Sequence, residues 1–134
     1  MANGISSLTK KYALSQSLYW INFMIILEFS GMFLVGSGIS NTWIGIVLAV
    51  SGLISTLIQP VVAAYADRPE SPSVKWFLSA FTVILILLSA LLLPAWQAAR
   101  LLLIYALWII VLEVMTPFHN ALGTESINQG ASLD

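Results

Sequence analysis

The chain of 134 residues has no cysteine, a single histidine and few charges, with five Lys and Arg against six Asp and Glu. Each scarcity removes a class of function. Without thiols there are no disulfides and no thiolate metal sites, and with one His there is no pair of metal-ligand donors at helical or finger spacing. A net charge of −1, with no cluster of basic residues, gives nothing that tracks a phosphate backbone, so no nucleic-acid partner is expected. Nucleophile elbows, phosphate loops and dinucleotide fingerprints are also missing, so the sequence offers catalysis no foothold and calls for no cofactor.

What fills the chain instead is apolar. Hydrophobic residues make up 59%, charged residues 8%, and the mean hydropathy is +0.93. Residues Trp43 to Ala66 run without a charge and stop on Asp67-Arg68. Since about 20 apolar residues at a rise of 1.5 Å cross a hydrocarbon core of about 30 Å, such a run is a membrane span. Four stretches qualify: Tyr12 to Gly36, Trp43 to Ala66, Val74 to Leu93 and Leu101 to Leu122. None alternates as a barrel strand does, and lipid cannot satisfy open backbone amides, so an all-α membrane protein of four transmembrane helices is expected. The stretch after Lys10-Lys11 is too long for a secretory leader and has no A-x-A site, so it is read as a retained first span. Lys10, Lys11, Arg68 and Lys75 fall on one side and Arg100 on the other. The positive-inside rule then puts the N-terminus and the Asp67 to Lys75 loop in the cytoplasm of a cell whose inner (plasma) membrane holds the chain. Short loops predict that successive helices are antiparallel neighbours. Trp20, Trp43, Trp76 and Trp96 mostly mark span ends at headgroup level. Gly45, Ala49, Gly52, Thr56 and Ala63 form a small-residue stripe on the second helix, which predicts a close helix partner.

Ser37-Gly38-Ile39-Ser40 before Ile44-Gly45, the Gln59-Pro60 pair and Asp67-Arg68 opening the loop together resemble the first loop and second helix of the major facilitator superfamily, in its lactose-permease-like sugar/proton symporter branch. Ala63, Asp67 and Arg68 match the start of that family's loop motif. Glu70, Pro69, Pro72 and the delayed Lys75 replace its Gly and basic cluster. The fourth span, with Glu113, Pro117, Asn120 and Glu125, also resembles a helix of the family, one that lines its substrate cavity together with the first. The resemblance implies that residues 1–134 are part of one six-helix half of a twelve-helix transporter, lacking its remaining helices. It also implies a small polar solute and protons as cargo, and a gating role for Ala63, Asp67 and Arg68. The polar tail after Leu122 reads as a chain cut in a loop.

Polar residues at bilayer depth are the other candidates. Glu28 sits mid-span, where an ionised carboxylate costs several kcal/mol unless it meets a cavity or a partner, so it is read as a proton-coupling or substrate-contacting acid, with structural glue as the competing reading. Glu113, Thr116, Asn120 and Thr124 recur at spacings of three, four and four on one stripe of the fourth helix, and Glu113 and Asn120 are read as solute or proton ligands. Pro117 removes the amide that would bond the Glu113 carbonyl and leaves an acceptor free beside that carboxylate. His119 points away from the stripe and is expected to make one interhelical hydrogen bond, with proton relay as the alternative. A four-helix exporter of the small multidrug type and a non-transporting membrane scaffold both stay open.

Overall fold

The computed structural model describes residues 2–94 and 97–128, and of residues 2–6, 8, 29, 30, 126 and 127 the backbone path alone. Four helices follow one another: α1 (Ala2–Gly36), α2 (Asn41–Ala66), α3 (Val74–Leu91) and α4 (Ala98–Asn128). All four are long and apolar enough to cross a membrane. Large apolar side chains cover the outside, among them Met32, Val61 and Leu93, an arrangement that water would not tolerate and lipid requires. The protein is a multi-pass helical membrane protein.

The ends differ from the sequence expectation in an instructive way. α1 begins ten residues before Tyr12 and carries Lys10 and Lys11 within it, and α4 continues six residues past Leu122. Apolarity marks where lipid stops, whereas a helix ends where its backbone bonding is broken, so both helices project past the hydrocarbon. α1 does end where expected, because Gly38 takes a left-handed φ of +82°. The Ile39 amide then reaches back to the Leu34 carbonyl at 3.0 Å and the Gly38 amide to Val35 at 2.9 Å, closing a Schellman cap whose apolar pair, Leu34 and Ile39, is buried.

Of the successive pairs expected to be antiparallel neighbours, α3 and α4 pack extensively and α1 and α2 only lightly. α2 and α3 pack chiefly on α4, and α1 also contacts α4 more than it contacts α2. α4 is the hub: 44% of its most apolar window is buried, against 11–12% in the other three. Its buried residues Leu101, Tyr105, Trp108, Leu112, Met115 and Phe118 recur at spacings of four, three, four, three and three along one broad stripe, against which α1 and α3 pack. Against α3, Phe118 stacks on Phe77 with ring centroids 5.0 Å apart, and the Trp108 indole donates to Ser89 Oγ at 3.0 Å. Against α1, the Tyr105 hydroxyl reaches the Ile26 carbonyl at 3.4 Å, and Gly123 leaves room for the Tyr12 ring, whose hydroxyl would lie 2.5 Å from an added Cβ. These pairs run in opposite senses, so α4 is antiparallel to α1 and α3.

The partner predicted for α2 is therefore α4, but the seam lies beside the predicted stripe. Ile44, Ser51 and Ser55 are buried, with Leu48 and Val62 half-buried along the same line. Gly45 has nothing within 4 Å of a would-be Cβ, and Ala49 and Thr56 are exposed. Only Gly52 and Ala63 of the predicted set approach the seam. Serine does what glycine was expected to do: it is small, and Ser55 Oγ donates to the Ser51 carbonyl at 2.8 Å, so its hydroxyl proton is satisfied in an apolar seam.

Candidate functional site

The α2–α4 seam meets the α1–α4 seam around two turns of α4, residues 112–119. Pro117 has no amide to give the Glu113 carbonyl, and in hydrocarbon an unpaired acceptor is costly. Gln59 fills the vacancy, its Nε2 donating to the Glu113 carbonyl oxygen at 3.0 Å from across the seam. The Glu113 side chain extends toward the same helix, with Oε2 4.0 Å from the position of a Cβ on Gly52. It is half-buried and makes no hydrogen bond or ion pair among the described residues.

On the other flank of this turn, Tyr19 of α1 is buried and reaches both the Leu112 carbonyl, at 3.2 Å, and the Thr116 hydroxyl, in a short contact. Its hydroxyl also lies within electrostatic reach of Glu113. His119 is buried one turn farther on and stacks against the Tyr19 ring, with centroids 4.1 Å apart and planes 26° from parallel. The hydrogen bond expected of His119 is absent: neither Nδ1 nor Nε2 has a partner. The imidazole joins α1 to α4 through its face instead. The antiparallel register that pairs Tyr12 with Gly123 and Tyr19 with Thr116 puts Gln16 level with His119, and Gln16 Oε1 also lacks a partner.

No known family, curated protein or solved structure matches this chain.

The remaining candidates lie apart from this turn. Glu28 is exposed on α1 and makes no hydrogen bond or ion pair among the described residues. By the register above it sits about 9 Å along the bundle axis from the level of Glu113, so the two carboxylates do not meet within one chain. Asn120 is exposed on the same helix as Glu113, and its carbonyl accepts from Thr124 Oγ1 at 3.5 Å. The predicted stripe therefore runs from a half-buried Glu113 and Thr116 to an exposed Asn120 and Thr124.

In the gating segment, half-buried Ala63 accepts the Asp67 amide at 3.0 Å, so Asp67 caps α2 with its side chain exposed. The Arg68 guanidinium lies 5.5 Å over the Tyr65 ring, and the chain turns tightly through a Ser71 amide bond to the Arg68 carbonyl at 2.9 Å. Glu125 is half-exposed and pairs with Lys75 at 3.7 Å, tying α4 to the start of α3. Trp43 and Trp76 lie exposed at the starts of α2 and α3, Trp20 lies well inside α1, and Trp96 falls outside the described residues.

What sequence reasoning missed here is Gln59 as a partner of the Glu113 carbonyl, and Tyr19 altogether. The signal for Gln59 was present. A proline-freed acceptor in a span calls for a donor from a neighbouring helix, and Gln59 is the one glutamine of the second span. Tyr19 lies among apolar residues, and nothing local distinguishes it from a headgroup aromatic.

Proposed function

We propose that this chain belongs to a secondary active transporter of the major facilitator type, forming part of its N-terminal half and moving a small polar solute, such as a sugar, by proton-coupled alternating access. Glu113 is the proton- or solute-handling acid in this reading, and Asn120 a solute ligand. The observation that carries it is the Glu113 turn: a carboxylate at bilayer depth, left without a partner, on a helix whose proline-broken backbone is held from α2 by Gln59. A purely structural glutamate in lipid would be expected to engage a donor. Transporter helices commonly break at the binding site, where the freed backbone serves a cavity. The missing wall of that cavity would come from further helices, and Asp67 with Arg68 would engage them as a gate, in the cell's inner membrane with the N-terminus in the cytoplasm.

The test is Glu113→Gln in the product of the reading frame that encodes this chain, assayed in membrane vesicles. Loss of proton-driven accumulation with retained folding supports the reading, and unchanged accumulation rejects it.

The exposure of Glu28 favours a second reading, a self-associating four-helix exporter in which a second copy would cover that carboxylate. Cross-linking from Cys introduced at Ile25, an exposed neighbour one turn from Glu28, decides between them: a disulfide-linked dimer in native membranes is the outcome for the exporter and not for the permease.

A further inference from the structure

A groove of about 620 Å³ runs between α1 and α3 with α4 as its floor, on the side of α4 away from α2. No Asp, Glu, Lys or Arg lines it, yet the lining includes Ser15, Asn22, Ser79, Thr82 and His119. Ser79 Oγ donates to the Lys75 carbonyl at 2.9 Å, Thr82 Oγ1 to Leu78 at 2.7 Å, and Asn22 Nδ2 to Leu18 at 2.8 Å. Ser79 and Thr82 have thus given their protons to their own helix and face the groove with lone pairs, whereas Asn22 keeps one amide N–H and the Ser15 hydroxyl is uncommitted. At the floor, His119 is nine-tenths buried with both ring nitrogens unpartnered.

The polar groups are also placed unevenly along the groove. The helix registers set by Tyr19 on Thr116 and by Phe77 on Phe118 put Ser15, Ser79 and His119 near one level, toward the start of α3. At the far end, Trp108 and Ser89 are bonded to each other, and Ile26, Leu85, Ile86 and Leu112 make the walls apolar. From Ser79 to Ser89 is about 15 Å along α3. The groove is of the size that takes a small molecule.

We propose that this groove binds an uncharged single-chain amphiphile with a hydroxyl head. The hydroxyl lies at the Ser15–Ser79–His119 end, donating to a serine oxygen or the imidazole, and the chain runs along Leu85 and Ile86 to Trp108. A charged head has no counter-ion in the lining, and a hydroxyl, which both donates and accepts, answers the Ser79 lone pairs as well as the donors of Ser15 and His119, which an ether cannot do. The groove shares Tyr19, Leu112 and His119 with the flank of the Glu113 turn but is not lined by Glu113 or Gln59, and the proposal does not depend on the transporter reading.

The test uses the full chain in detergent with Trp108 as its only tryptophan (W20F, W43F, W76F, W96F) and 11-bromoundecan-1-ol as the probe, its bromine quenching the indole at the tail end. Quenching that saturates, with the methyl ether of the same probe binding about tenfold more weakly, is the expected result. S79A, at an exposed position where folding is not at stake, and H119F should each shrink that alcohol-over-ether preference to about two- to threefold. The same probe added with excess unbrominated monoacylglycerol, and separately with excess undecanol, distinguishes a membrane lipid from a free alcohol as the competing ligand. Quenching that rises linearly without saturation, or equal affinity for alcohol and ether, overturns the proposal.

Discussion

Gln59 and Pro117 act as one device, because the proline creates an acceptor that the glutamine answers. Their effects should therefore not add. Q59L should cost about 1 kcal/mol, in the range of interhelical hydrogen bonds in membranes. On a P117A background, where residue 117 regains its amide and bonds Glu113 itself, Q59L should cost almost nothing. Denaturant unfolding of the four proteins in bicelles gives the cycle, and strict additivity would show that Gln59 contributes in some other way. His119 makes the opposite prediction. A buried imidazole with two unpaired nitrogens is a penalty that its stacking on Tyr19 must outweigh, so H119F, which keeps the ring face and removes the nitrogens, should raise stability by about 1 kcal/mol. H119A, which removes the ring as well, should lower stability by about 2 kcal/mol or more. Both are read from thermal melts in the same detergent.

Among the helices, α4 holds the fold together and α2 is held to it through serine. S55L places a large side chain where the seam leaves no space and should destabilise by about 1–3 kcal/mol, whereas Leu at Thr56, one residue on and exposed, should leave the melting temperature unchanged. That contrast also locates what sequence reading could and could not reach. The four spans were legible because length and apolarity decide them, and the end of α1 fell at Gly36, where the apolar run was expected to stop. The face of α2 that packs was not, because Gly45, Ala49 and Thr56 have the same periodicity as Ile44, Ser51 and Ser55, and only the partner's side chains choose between adjacent stripes. Pro117 correctly announced a free carbonyl at Glu113. Which group would answer it depended on α2 and α4 being neighbours, and chain order favoured other pairings.

For the whole molecule, orientation rests on where five cations fall, and the absence of native cysteine makes it directly measurable. Ser40 and Ser73 are exposed helix N-caps with no side-chain cap bond, so cysteine at either position disturbs nothing. With the N-terminus in the cytoplasm, S40C should react with a membrane-impermeant maleimide in intact cells and S73C only after the membrane is opened. The reverse pattern would invert the topology and move Asp67 and Arg68 to the outer face. The transport reading is tested most directly by proton-driven uptake of a panel of labelled sugars into vesicles carrying the product of this reading frame, parent against E113Q. The account predicts that at least one sugar accumulates against its gradient when the outside is acid, and that E113Q, folded and inserted, no longer accumulates it. Accumulation by E113Q equal to the parent's, or no sugar moved by any pH gradient, would contradict it.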